Sequence, residues 1–262
     1  MTSKKILPVE IDESKYNKAE LDPFVFPSLS VYIGHVASGK STLLYNLIRM
    51  TDPVFDGNVI LISPTLLNDP IQQKMIEEDM ILEHYDYFNN DLMKHILDAI
   101  KEDENEKYLI VFDDILSMTP KHMTREGRWW NSYISQYRHR PNEGQVSLMF
   151  FLQYFKDLSP VIRSNLSYIG LLGSHSEKHQ AQYAEELSAA TGGTADSFHE
   201  CYNLAKSKGK YDFLLLDFRK LRALRNFDTV LYDRDSEFDK NKIDFKSDNE
   251  EEEKENEQIP QK

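Results

Sequence analysis

The chain has 262 residues, 40 % of them hydrophobic, enough for a large α/β domain with a buried core. Its net charge is −13, which does not advertise a nucleic-acid binder, though basic residues could be confined to where a strand passes. One cysteine, Cys201, excludes an internal disulfide and fits a reducing compartment.

The start, MTSKKILPVEID, has no sustained apolar stretch behind it and is not read as a signal peptide, so the chain is expected not to be secreted. No apolar run approaches the roughly 18 residues of a membrane span. Residues 1–24 form an expected N-terminal arm, 25–232 the main domain and 233–262 an acidic tail. The tail carries 12 acidic and 6 basic residues, net −6, and includes a run of four Glu. Its composition predicts disorder.

In chain order, the first predicted strand is Ser28–Ile33, followed by a glycine loop and a helix to about Met50. Gly57-Asn58 leads into a second strand, Val59–Ile62, which ends in Ser63-Pro64. Residues 68–104 carry helical spacing with a break at Phe88-Asn89-Asn90. Tyr108–Phe112 is a third strand, tipped by Asp113-Asp114. Residues 121–140 read as helix and loop. Ser147–Leu152 and Ser167–Leu172 are the fourth and fifth strands. His175–Thr191 reads as helix, stopped by Gly192-Gly193. Tyr211–Phe218 is the last expected strand, with a basic stretch after it. Strands alternating with helices, and strands that are apolar nearly throughout, predict an α/β fold. Its central sheet should be mostly parallel with helices on both faces.

Gly34-His35-Val36-Ala37-Ser38-Gly39-Lys40-Ser41 matches G-x-x-x-x-G-K-[ST] at every fixed position, between a strand and a helix. Glycines let backbone N–H groups converge on phosphate oxygens, and the helix from Lys40 through Thr42 adds its positive end. Lys40 is the expected β/γ-phosphate ligand and Ser41 a Mg²⁺ ligand. At the tip of the third strand, Asp113 is expected to hold Mg²⁺ and Asp114 to orient or deprotonate the attacking water. The fourth strand ends at Gln153, an amide suited to touch both the γ-phosphate and the water. A strand between the two motifs, and a Gln-tipped strand after them, suit NTPases with an additional central strand of the RecA-like type.

With SVYIGHVASGKST, YLIVFDDI and SLMFFLQYFKDLSPVIRSNLSYIG in that order, the chain resembles the poxvirus-type genome-packaging ATPases. These belong to the FtsK–HerA division and occur in large DNA viruses, virophages and Polinton-type elements. The resemblance covers about residues 25–220. It implies an ATP- and Mg²⁺-dependent motor that moves double-stranded DNA into a preformed capsid. It further implies a homo-oligomeric ring, pentameric or hexameric, with a capsid component as a possible partner. The place of work would be the host-cell cytoplasm or nucleus where virions assemble. Arg163, in Pro-x-x-Arg-Ser-Asn, becomes the expected arginine finger, with Arg140 the second choice. Many members use Glu after the Mg²⁺ acid; Asp114 is one methylene shorter, which favours water positioning over direct base chemistry.

Lys121, Arg125, Arg128, Trp129, Trp130, Arg138 and Arg140, or Arg219, Lys220, Arg222 and Arg225, are the candidates for DNA contact. Residue by residue the plainer reading is stronger, with Trp129 and Trp130 as packing and the arginines facing water. A nucleoside or nucleotide kinase, and a non-catalytic P-loop assembly switch, are the competing readings. Asn241-Lys242-Ile243-Asp244 fits a guanine-reading pattern but lies in the tail. His175 and His179 are four apart; with no third ligand in evidence they are read as a solvated helix face. His139, His199 and Cys201 are read as structural. The Asn165-Leu166-Ser167 sequon carries no weight without a signal peptide.

Overall fold

The computed structural model describes residues 18–103, 106–115, 125–139 and 145–236. Residues 1–17 of the expected arm, Lys121, Arg140 and residues 237–262 of the expected tail, including Asn241–Asp244, lie outside them. Nine strands follow the hydrogen-bonded order β11-β10-β9-β8-β3-β7-β6-β4-β5. They are β3 (Leu29–Ile33), β4 (Val59–Ile62), β5 (Glu83–Tyr85), β6 (Tyr108–Asp113), β7 (Val146–Leu152), β8 (Tyr168–Leu171), β9 (Leu214–Asp217), β10 (Arg222–Arg225) and β11 (Thr229–Asp233). β1 (Ala19–Leu21) and β2 (Phe24–Phe26) form a separate antiparallel pair. The chain divides into two compact units, one of Met1–Ser28 with Tyr45–Met149, the other of Leu29–Leu44 with Phe150–Lys262.

The first unit holds β1, β2, most of α1 (Lys40–Phe55), β4, β5, β6 and the start of β7, with α2 (Pro70–Glu77), α3 (Asn90–Lys101) and α4 (Arg125–Gln136). β4 runs parallel to both β5 and β6. Every residue of β4 and β6 is buried, as a strand covered on both faces demands. α2 begins where Asp69 accepts hydrogen bonds from the amides of Ile71 (2.8 Å) and Gln72 (3.3 Å), with Pro70 preset for the first turn. α3 begins at the expected break, where the Asn89 side chain accepts from the Leu92 amide at 2.8 Å. Its Leu92, Met93, Ile96, Leu97 and Ile100 are buried at helical spacing. Phe88, Phe112 and Trp130 meet edge-on, with ring centroids 5.1–5.9 Å apart. α1 passes the expected end at Met50 and reaches Phe55, because Phe55 is buried edge-on against Phe26 at 5.0 Å.

The second unit holds β3, the start of α1 and the end of β7. It also holds α5 (Pro160–Ser164), β8, α6 (Glu177–Leu187), α7 (Ala195–Lys206) and β9 to β11. β3 is parallel to β8; β8, β9, β10 and β11 then alternate antiparallel. The sheet is therefore mixed. The expected last strand is followed by a hairpin that the basic stretch concealed. α7, also unanticipated, starts with a capping box between Thr194 and Ser197. Gly192 ends the preceding helical segment with φ +98°, a left-handed stop as expected. Cys201 is buried on α7, and burial pushes its thiol up to about 11.

Inside this unit Tyr32 stacks on Phe151 with centroids 5.0 Å apart. Gly170 on β8 makes room for that ring, since a Cβ there would stand 2.5 Å from Tyr32 Cδ1. Gly170→Ala is therefore an overpacking change, expected to cost about 1–3 kcal/mol in urea unfolding. A loss near zero would show that the Tyr32 ring yields freely.

Candidate functional site

β3 delivers the chain to a loop whose backbone approaches itself too closely for side chains. A Cβ on Gly34 would lie 2.2 Å from Ser38 Oγ and 3.0 Å from Leu172 Cβ. Ala37 (φ +62°) and Gly39 (φ +93°) both take left-handed conformations, the first at a cost of roughly 1–2 kcal/mol. The Gly34 amide donates to the Leu152 carbonyl at 3.0 Å, so the end of β7 is tied to the first residue of the loop. Lys40 Nζ folds back and donates to the carbonyls of Gly34 (2.7 Å) and His35 (3.4 Å). Ser38 is buried and its Oγ has no protein partner. Such a glycine cradle, closed by a lysine and opening a helix, fits a polyphosphate with its metal ion. Val36 projects at 81 % exposure, and Tyr211, 60 % exposed, lies beside Gly39.

In the first unit, β6 ends at Asp113, which is 7 % exposed. Its Oδ2 accepts from Gln72 Nε2 at 2.7 Å and from Ser63 Oγ at 3.3 Å. Ser63 in turn shares a hydrogen bond with Thr65 Oγ1 at 3.0 Å. These donors fix the direction of the carboxylate, as the neighbours of a metal-holding carboxylate do. Neither Ser63 nor Gln72 was anticipated; their signal is a polar residue just past a buried strand and a fully buried glutamine on a helix. Asp114, next along, sits at φ +51°, a left-handed conformation that a short polar side chain tolerates.

In the second unit, Gln153 directly follows the Leu152 carbonyl that receives the Gly34 amide, so Gln153 and the phosphate loop share one end of β7. Arg163, on the short helix α5, is not drawn to the loop. Its Nη1 donates to both Glu186 oxygens, at 2.7 and 2.5 Å, and its guanidinium lies 5.3 Å from the Phe155 ring centroid.

His175 and His179 depart from the solvated helix face expected of them. His175 precedes α6 and is 5 % exposed; burial, helped by His35, Lys206 and His179, pulls it down to about 4. Lys206, also drawn down by burial, to about 8, donates to the carbonyls of Leu171 (2.9 Å) and Asp212 (2.8 Å).

Of the residues expected to meet DNA, Arg125 and Arg128 are exposed on α4. Trp130 is 3 % exposed and belongs to the aromatic core, so it is removed from that role. Trp129 stacks near Tyr133 at 5.9 Å and lies beneath Lys94. Arg138 lies over the Tyr137 ring. In the C-terminal hairpin, Arg222 pairs with the fully buried Asp217 at 3.0 Å, while Arg225 donates to Thr229 Oγ1 at 3.1 Å. Asp217 also accepts the amides of Arg219 (2.9 Å) and Lys220 (3.1 Å), closing the β9–β10 turn. Half of that basic cluster is therefore structural. No helix among the described residues is long and apolar enough to cross a membrane.

No protein-family model and no curated protein sequence matches this chain. Solved structures do. The genome packaging NTPase B204 from Sulfolobus turreted icosahedral virus 2, in complex with ATP-gammaS, superimposes with a TM-score of 0.56 at 17 % identity, over 76 % of this chain and 96 % of that one. The DNA-packaging ATPase B204 from Sulfolobus Turreted Icosahedral Virus does so at 0.56 and 15 % over the same shares. The pCW3 conjugation coupling protein TcpA, in its monomer form with ATPgS, gives 0.51 at 13 %, over 81 % of this chain and 62 % of that one. The likeness is one of fold: a mixed, mostly parallel central sheet with helices, as in these P-loop NTPases.

The buried ion pair gives a direct check on the C-terminal hairpin. Arg222→Ala leaves the buried Asp217 carboxyl without its guanidinium partner, and is expected to cost about 3–5 kcal/mol in urea unfolding. Arg225→Ala should cost about 1 kcal/mol. Equal small losses would return Arg222 to the surface residues.

Proposed function

We propose that the chain is a Mg²⁺-dependent ATPase whose hydrolysis drives double-stranded DNA into a preformed viral capsid. The observation that carries this is the loop between β3 and α1. Its Gly34 approach, its left-handed Ala37 and Gly39 and its inward Lys40 form a phosphate cradle tied to the Gln-tipped end of β7. The fold it shares with two B204 packaging ATPases and a conjugation coupling protein supports the DNA-moving part of the reading.

In this proposal the amides from Gly34 to Thr42 and the ammonium of Lys40 bind the phosphates. Ser41 and Asp113 hold Mg²⁺, which would neutralise charge on the phosphate oxygens. Ser63 and Gln72 aim the Asp113 carboxylate. Asp114 and Gln153 place the attacking water. The exposed Tyr211 ring beside Gly39 offers a face on which the purine stacks. Arg163 serves a neighbouring subunit's γ-phosphate, and Glu186 sets the condition: the arginine acts in trans only after leaving that carboxylate. A ring of five or six copies supplies the neighbour, with a capsid protein as docking partner at the site of virion assembly. Arg125 and Arg128 present the phosphate-gripping charge.

Phosphate release from ATP, at rising protein concentration with and without linear double-stranded DNA, tests the proposal. The specific rate should climb with concentration and rise again with DNA. Lys40→Ala should lose about a hundredfold or more. Arg163→Ala should keep ATP binding and lose about a thousandfold in turnover. A flat, DNA-indifferent rate would overturn the motor and move the chain to the kinases. Tyr211→Ala should raise the KM for ATP about tenfold with little change in kcat, from stacking of about 1–3 kcal/mol. An unchanged KM removes Tyr211 from the site.

A further inference from the structure

The second unit brings together three imidazoles that the sequence keeps far apart. His35 is the second residue of the phosphate loop, His175 lies just after β8, and His179 is in the first turn of α6. One ring nitrogen from each lies within 4.8 Å of the other two. The His35 ring centroid is 5.3 Å from that of His175 and 6.3 Å from that of His179.

We propose that His35, His175 and His179 form a binding site for a divalent transition-metal ion of the zinc class. Two buried ring nitrogens, His175 Nε2 and His179 Nδ1, have no hydrogen-bond partner. An unpartnered buried nitrogen is costly, and one cation held among the three imidazoles would satisfy them together. His175 is also built as a ligand. Its Nδ1 lies 3.3 Å from the Tyr183 hydroxyl, which leaves Nε2 for the metal. Its amide donates to Tyr202 Oη at 3.0 Å, and its carbonyl accepts from Gln180 Nε2 at 2.7 Å, so its backbone is held on both sides.

Three imidazoles select a borderline ion over Mg²⁺, which prefers oxygen ligands. At Zn–N bonds of about 2.0–2.1 Å, tetrahedral nitrogens stand roughly 3.3 Å apart. Closing from the present spacing takes side-chain rotations of His35 and His179, both only partly buried and therefore reachable from solvent. Three ligands leave a fourth position open. The ion would tie the phosphate loop to α6, independently of any nucleotide.

The test is titration of chelator-treated, nucleotide-free protein with Zn²⁺, in competition with a chromophoric chelator, alongside Co²⁺ absorption spectra. One tight equivalent per chain and an intense tetrahedral cobalt spectrum are expected. His35→Gln and His179→Gln should each weaken Zn²⁺ by at least about tenfold. His199→Gln, outside the cluster, should not. Zn²⁺ should also raise the Tm of the unaltered chain and not that of His35→Gln. Both variants alter partly exposed side chains, so unchanged circular dichroism and metal-free Tm separate lost ligation from lost folding. Absence of a tight equivalent, or full affinity in His35→Gln with the fold intact, overturns the site.

Discussion

The space that one side-chain carbon would occupy at Gly34 governs the phosphate loop. With no Cβ, the backbone comes within reach of Ser38 and Leu172 and its amide meets the Leu152 carbonyl. That bond joins the start of the loop to the tip of β7, so the position of Gln153 and the shape of the loop are one geometric fact. The ammonium of Lys40 then rests on the two carbonyls the turn exposes. Strain at Ala37, left-handed without being glycine, is tolerated because both flanks are anchored, by β3 on one side and α1 on the other.

Among the described residues, three buried or half-buried ionisable side chains each meet an opposite charge or several dipoles. Asp217 combines the Arg222 guanidinium with two backbone amides. Lys206 lies against two carbonyls. Asp113 accepts from the two neutral side chains of Gln72 and Ser63. Arg163 and Glu186 are the partly exposed case, where solvent weakens the pair.

Much of this was legible from the sequence, for physical reasons. β4, β6 and β7 are buried on both faces and therefore read as unbroken apolar runs. The α3 start and the Gly192 stop follow from local capping chemistry, which involves residues only a few positions apart. β5 reads Glu-His-Tyr and is largely exposed, so no apolar pattern marks it. β10 was concealed by Arg222 and Arg225, whose charges suggested a surface segment until Asp217 appeared opposite. His35 was read only as a loop amide, because its imidazole meets His175 and His179 through the parallel pairing of β3 with β8, a long-range contact with no local signal. Trp130 follows the packing reading over the DNA one: helical spacing, not its basic neighbours, decides its place in the core.

The strand order also has ends, and their composition bears on self-association. β5 at one end is three residues long and carries Glu83; β11 at the other is five residues, Thr-Val-Leu-Tyr-Asp, with Val230 half exposed and Asp233 at its finish. An unpaired strand edge offers a row of free amides and carbonyls to any other extended chain. Short length and the Glu83 carboxylate make the β5 edge a poor template for a second copy, whereas the apolar middle of β11 is guarded only by Asp233 at its end. Strand-to-strand pairing is thereby disfavoured at the β5 margin, and the β11 margin is the one more open to another extended chain.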